Sequence, residues 1–205
     1  MILHSVDYPK RSRDVETMTR PDIREETKND FEIVRQGVVS QQTLRRLAGT
    51  MILFVCTGNT CRSPLAEALA RKYVIERGLS DIDVASAGTS SRDDAAASDG
   101  ALLVGLERRL DLSTHRSQQI TRALVEESDL IFTMGPHHLE RVEALGGAGK
   151  SYLLTAYPTR GSSGRAISDP MGGDLEVYRA TVDELDAEIR RVLDRIAAER
   201  VPGQP

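Results

Sequence analysis

The sequence predicts an α/β fold: a four-stranded parallel sheet with helices on both faces and a phosphate-binding loop after the first strand. Three observations carry this expectation. From Met51 onward, short apolar runs alternate with helix-period segments, the pattern of parallel strands joined by crossover helices. An apolar run, Met51 to Phe54, leads into V-C-T-G-N-T-C-R-S-P at residues 55–64, which reads as strand, anion-binding loop, helix. Near the carboxyl end, Leu175, Tyr178, Val182, Leu185, Ile189, Val192 and Ile196 recur at spacings of three and four, one apolar helix face turned to a sheet.

The elements follow in order. Residues 1–50 read as an amino-terminal extension, partly disordered: residues 1 to about 30 are mostly polar and show no period. Residues 31–35 alternate like a short strand, and Ser40 caps a short helix through Leu47 that stops at Gly49. Residues 51–200 form the main domain. Strands are expected at 51–55, 83–87, 129–134 and 151–154. Helices are expected at 64–77, 98–109, 121–127, 136–145 and from about 173–175 onward. Pro64 is acceptable in a first turn, where its missing N–H has no intrahelical partner anyway. A Gly/Ser-rich loop spans 155–168.

Composition narrows the function classes. The chain has 205 residues, is 40% hydrophobic and carries a net charge of −4, which gives no electrostatic case for nucleic-acid binding. No run approaches the roughly 18 apolar residues of a membrane span, and the amino terminus lacks the basic start and apolar centre of a signal peptide. Two cysteines are too few for a disulfide scaffold and fit a reducing, cytoplasmic setting. Four scattered histidines lack zinc spacing, so neither metal nor cofactor is expected. The adjacent pair His137-His138 reads as surface, because neighbours on a helix point apart. Nothing in the sequence speaks to oligomeric state.

The loop carries the chemistry. Cys56 ends a buried strand at a helix amino terminus among inward-facing amides, and both features favour the thiolate, the nucleophilic form. With Thr57, Gly58 and Thr60, the loop backbone offers N–H groups to a tetrahedral oxyanion. Gly58 permits close backbone approach. Asn59 tolerates the left-handed region and ties the loop through its amide. Arg62 supplies a planar fork for two phosphoryl oxygens. Ser63 can donate a hydrogen bond to the sulfur. The expected reaction is in-line phosphoryl transfer to sulfur through a phospho-cysteine, with amides and Arg62 stabilising the equatorial charge. The bland alternative is a strand-to-helix turn with a buried cysteine; nothing structural requires Gly, Asn, Arg and Ser together. Asp169-Pro170 is the candidate general acid: Pro170 holds Asp169 extended, and Gly172-Gly173 let the loop approach the pocket.

These residues resemble the low-molecular-weight protein tyrosine phosphatases. The likeness spans about Met51 to Ala198 and includes the cysteine loop, S-A-G at 86–88, His115 before R-S-Q-Q-I-T, D-L-I-F-T-M ending at Met134, and D-P-M-G-G from Asp169. It implies Cys56 as nucleophile, Arg62 as phosphate clamp and Asp169 as acid, with Asn59, Ser63, Ser86 and His115 in support. Phosphorylated proteins or peptides are then the implied partners. Phosphotyrosine members commonly place a branched aliphatic residue before the second loop cysteine. Thr60 stands there instead, as in the bacterial protein-arginine phosphatases, and its hydroxyl can bond a phosphoguanidinium. Met171, Gly172 and Gly173 replace the aromatic wall of tyrosine-specific members, although arginine phosphatases often have Phe at the position of Met171. Phosphoarginine is favoured modestly over phosphotyrosine, and a non-catalytic phosphoprotein-binding module is a further alternative.

Cys61 has two readings: a partner for a disulfide with Cys56 on oxidation, or a small packing residue. Arsenate reduction on this fold needs relay cysteines downstream, and there is none after Cys61. Separately, I-V-R-Q-G-V-V-S-Q-Q-T-L-R-R-L-A-G at residues 33–49 resembles the tail of the threonylcarbamoyl-AMP synthase (YrdC-like) family. That implies a remnant of a fused domain, too short for that activity; an unrelated linker is the other reading.

Overall fold

A computed structural model of the chain describes residues 22–27, 30–35, 49–162 and 164–200. The chain divides into two units, 1–49 and 50–205. In the first, β1 (Asp22–Thr27) pairs antiparallel with β2 (Asp30–Arg35). The strand expected at 31–35 is present as β2. Its partner β1 lies in the polar stretch where poor order was expected; D-I-R-E-E-T lacks the apolar alternation that betrays a strand. The helix expected after Ser40 falls outside the described residues.

The second unit begins at β3 (Thr50–Cys56), followed by α1 (Arg62–Glu76), β4 (Ile82–Gly88), α2 (Asp99–Glu107), α3 (Arg122–Glu127), β5 (Leu130–Thr133), α4 (Pro136–Val142), β6 (Ser151–Leu153) and α5 (Leu175–Arg200). The four strands form one sheet in the order β4-β3-β5-β6, all parallel. Successive residues of β3 serve opposite faces, as the period of a strand demands. Ile52, Phe54 and Cys56 pack with Leu65 and Leu69 of α1, Val104 of α2, and Leu185 and Ile189 of α5. Leu53 and Val55 pack with Val125 of α3 and Val142 of α4. The sheet therefore has helices on both faces, as expected. Six of the seven periodic apolar positions of α5 are buried; Leu175, in its first turn, is half-buried.

Element ends follow local chemistry. Ser98 caps α2 by accepting from Ala101 N–H, and Thr121 caps α3 by accepting from Leu124 N–H. The helix opened by Pro136 passes into a π-helical turn over Glu143–Gly147, with Gly146 at φ +100°. That is where the expected helix to Leu145 changes character.

Topology positions the site. The chain leaves β3 for β4 on one side and later crosses to β5 on the other, so the order reverses at β3. The carboxyl end of a strand at such a reversal opens into a crevice, and the loop after Cys56 fills it. Gly88, at the end of β4, pairs with Cys56, while Thr89 N–H donates to Cys56 O and Ser90 N–H to Thr57 O, both at 2.9 Å. A Cβ at Gly88 would stand 2.5 Å from Thr57 O and 3.0 Å from Asn59 N, so only glycine lets β4 seat the loop this closely. We expect Gly88→Ala to cost about 1–3 kcal/mol in denaturant unfolding. Its turnover should fall more than its stability explains, because the displaced atoms belong to the loop backbone.

Candidate active site

The loop joins two rigid elements. Cys56 is the last residue of β3, and Cys61 is the N-cap of α1, with no side chain accepting from the first-turn amides. Among the described residues, no acceptor takes the N–H groups of Gly58, Asn59, Thr60, Cys61 or Arg62. A helix amino terminus with undirected donors is suited to an anion. Asn59 sits at φ +53°, in the left-handed region that asparagine tolerates.

Asn59 is fully buried and bonded on every side. Its Nδ2 donates to Ser63 Oγ at 2.9 Å and to Ser86 Oγ at 2.8 Å. Its Oδ1 accepts from Gln118 N–H at 2.9 Å, and its backbone oxygen is 2.7 Å from His115 Nε2. Ser86 Oγ passes its own hydrogen to Glu67 Oε2 at 2.6 Å. Ser63 Oγ accepts from Asn59 and lies 3.0 Å from Cys56 Sγ, so its hydroxyl hydrogen can be given to the sulfur when the thiol is ionised. The competing acceptor, Ala87 O, lies at 3.5 Å. A donor aimed at sulfur stabilises it both as attacking group and as leaving group. Ser86 and His115, singled out only through resemblance, thus lie one residue from the loop's centre.

Arg62 opens α1 with its side chain 5% exposed. Its Nη1 donates to Ile167 O at 3.3 Å, its Nη2 donates to Asp169 Oδ2, and its buried Nε has no partner among the described residues. A buried guanidinium N–H left unpaired is costly, so this group is free to take an acceptor such as a phosphoryl oxygen. The Asp169 loop is fastened from below. Thr155 Oγ1 donates to Arg165 O at 2.7 Å, and Ile167 N–H donates to Met134 O, beyond the end of β5, at 2.9 Å. A turn then closes from Gly173 N–H to Pro170 O at 2.9 Å, with Gly172 at φ +79° and Met171 N–H 3.2 Å from Asp169 Oδ1. Asp169 is 49% exposed, facing both Arg62 and solvent. Met171 is 67% exposed.

The remaining predicted residues are accounted for. Gly58 is half-buried, and a Cβ there would make only an ordinary contact, 3.5 Å from Thr60 Oγ1. Among the described residues, the Thr60 hydroxyl makes a single long contact, 3.7 Å from Cys61 Sγ. Both cysteines are free thiols. Cys61 Sγ donates to Ser98 Oγ at 3.2 Å and lies 3.5 Å from the Tyr178 hydroxyl. It therefore packs between α2 and α5 rather than toward open solvent.

One expectation is corrected. His137 is exposed, but His138 is completely buried, its Nε2 2.9 Å from Thr57 Oγ1. The two rings also touch, 3.8 Å between centroids and tilted by 45°. Adjacent positions on a helix leave in different directions, but the rings meet all the same, and one of the two is carried inward, away from water. Tyr178 was placed on the core face of α5, but its hydroxyl contact with Cys61 carries no sequence signal.

Comparison with known proteins places this geometry. Residues 51–201 match the family model described as low molecular weight phosphotyrosine protein phosphatase. A protein-arginine-phosphatase of Bacillus subtilis is 36% identical over 151 residues, 73% of this chain and 98% of that protein. The protein-tyrosine-phosphatase Wzb of Escherichia coli K12 is 34% identical over 152 residues, 73% of this chain and 97% of that one. Among solved structures, the YwlE arginine phosphatase from Geobacillus stearothermophilus superposes with a TM-score of 0.68 at 32% identity, covering 76% of this chain and 98% of its own.

His138 generates a pH prediction. Burial first, then the neighbouring His137 and Arg62, push its pKa from 6.5 down to about 4, while Asp169 opposes the shift. The unfolded imidazole binds a proton below 6.5 that the folded one refuses until about 4. Stability is therefore complete above the unfolded value and is lost as pH falls toward the folded one. Relative to a His138→Gln variant, the native chain should lose about 2 kcal/mol of unfolding free energy between about pH 7 and pH 5. Parallel urea titrations at the two pH values check this; a constant difference contradicts it.

Proposed function

The chain belongs to the low molecular weight phosphotyrosine protein phosphatase family, and within it we propose a phosphoprotein phosphatase that uses Cys56, Arg62 and Asp169 and prefers phosphoarginine. The observation that carries the chemistry is the arrangement around one short loop: the Cys56 sulfur 3.0 Å from the Ser63 hydroxyl at its start, the buried Arg62 fork at its end, and the Asp169 carboxyl joined to that fork.

The steps follow from these positions. An incoming phosphoryl group takes the Arg62 fork and the loop amides, displacing the Asp169 carboxylate from Arg62. Cys56 Sγ attacks phosphorus in line; a sulfur–phosphorus bond forms as the bond to the leaving nitrogen or oxygen breaks. Asp169, freed from Arg62 and half exposed, takes a proton from solvent and gives it to that leaving atom. Water then attacks the phospho-cysteine, its proton passes to Asp169, the sulfur–phosphorus bond breaks, and inorganic phosphate leaves. Ser63 stabilises the sulfur as it departs.

Thr60 supports the preference for phosphoarginine. Among the described residues its hydroxyl has only the 3.7 Å contact to a neighbouring sulfur, leaving its lone pairs for a guanidinium N–H that a phenol ring does not offer. With Met171-Gly172-Gly173 after Asp-Pro, no aromatic ring from this segment is available to stack on a phenol. Protein-tyrosine phosphatase activity is the second reading, favoured by the Escherichia coli relative at 34% identity. Phosphorylated proteins as partners, and a cytoplasmic setting, belong to the same proposal; no described helix is long and apolar enough to cross a membrane.

Two measurements test these assignments. Asp169→Asn should lower kcat on phosphopeptides by about a hundredfold or more, with its unfolding midpoint little changed. Thr60→Ile should shift the ratio of kcat/KM for phosphoarginine over phosphotyrosine peptides by about tenfold toward phosphotyrosine, the worth of one lost hydrogen bond. Equal or better phosphotyrosine hydrolysis by the native chain, unmoved by Thr60→Ile, removes the arginine assignment.

A further inference from the structure

A cleft of about 360 Å³ lies between α1, β4 and the segment 109–118, apart from Cys56, Arg62 and Asp169. That volume falls at the lower end of small-molecule sites, about 300–1,000 Å³. Its charge is unbalanced. Arg71, Lys72, Arg109 and Arg116 line it against two carboxylates, Glu67 and Asp111. Both carboxylates are already occupied within the protein. Glu67 holds Arg71 at 2.6 Å and accepts from Ser86. Asp111 Oδ1 accepts from both the hydroxyl and the amide of Ser113, which hold its carboxyl below the ordinary range. The Arg109 backbone N–H donates to Leu106 O at 3.1 Å, but its guanidinium has no hydrogen-bond or ion-pair partner among the described residues. Among the described residues, the Lys72 ammonium has no partner beyond a 6.0 Å approach to the Tyr73 ring.

Arg109 is singular in a second way. It stands just past the end of α2 at φ +57°, the left-handed position where glycine is the usual and less costly residue. An exposed, unpaired cation there serves no capping need. The cleft also has an apolar wall, Ala68 and Leu110 with Ile75, the last 75% exposed. An uncompensated pair of cations beside exposed apolar surface fits an organic anion better than a bare one. The floor of the cleft is Ser86, His115 and Gln118, each bonded to Asn59 of the catalytic loop.

We propose that this cleft is a second binding site, for a small organic phosphate: its anionic group on Arg109 and Lys72, its carbon body on Ile75 and Ala68. The site does not depend on the substrate assignment or on turnover. It is tested by amide chemical-shift mapping of the full chain with ADP, and with inorganic pyrophosphate as the bare anion. ADP should give saturable shifts at Ala68, Arg109, Leu112 and Gln118, at an affinity about tenfold tighter than pyrophosphate, the worth of covering one aliphatic side chain. Arg109→Gly removes the cation while suiting the left-handed backbone, so it should fold at least as stably and abolish those shifts. Lys72→Gln should weaken them severalfold. Shifts confined to residues 57–63, equal affinity for the two probes, or ADP shifts at 109–118 that survive Arg109→Gly would each overturn the proposal.

Discussion

The orientation of Asn59 is the constraint on which the rest of the site depends. Its side chain is buried with both nitrogen hydrogens and its oxygen committed, so it has one way to sit. That fixes the loop in a left-handed turn and holds the Ser63 hydroxyl as acceptor from Asn59, 3.0 Å from the Cys56 sulfur. A fully satisfied polar network of this kind is rigid, whereas a partly satisfied one would cost more than an apolar core. Rigidity matters because electrostatic stabilisation of an equatorial oxyanion requires donors already in place before the charge develops.

The fold serves that arrangement by supplying two fixed ends. The reversal of strand order at β3 leaves a crevice beyond Cys56, and Gly88 lets β4 approach the loop within contact of its backbone. The long segment after β6 is pinned by Thr155 and by the Met134 carbonyl before it delivers Asp169 to Arg62. A loop fastened at intermediate points keeps its tip exposed without leaving its position undetermined. The exposed carboxyl of Asp169 and the buried guanidinium of Arg62 are complementary in the proposed mechanism: one would exchange protons with water, the other hold phosphoryl oxygens.

Much of this was legible in the sequence because the signals were local. The run V-C-T-G-N-T-C-R-S-P combines a nucleophile, a turn, a clamp and a helix start within ten residues, and periodicity marked the strands and α5. Asp-Pro followed by Gly-Gly indicated a tight, approachable loop. What escaped was set by long-range packing. His138 looks like its neighbour in sequence, and only the placement of α4 beside β3 turns it inward against Thr57. Tyr178 announced a core position by spacing, but its hydroxyl meets Cys61 across 117 residues of chain. β1 is a charged strand whose pairing, not its pattern, defines it.

The proposed chemistry stands on a covalent bond between Cys56 and phosphorus. Acid-quenching the native chain during turnover of a phosphoarginine peptide, followed by peptide mass spectrometry, reads that bond directly. One phosphoryl group on the peptide containing Cys56 is the result expected, more abundant when Asp169 is replaced by Asn if the slower step becomes hydrolysis. Full turnover with no phosphoryl group on that peptide, or undiminished turnover by Cys56→Ser, would contradict it.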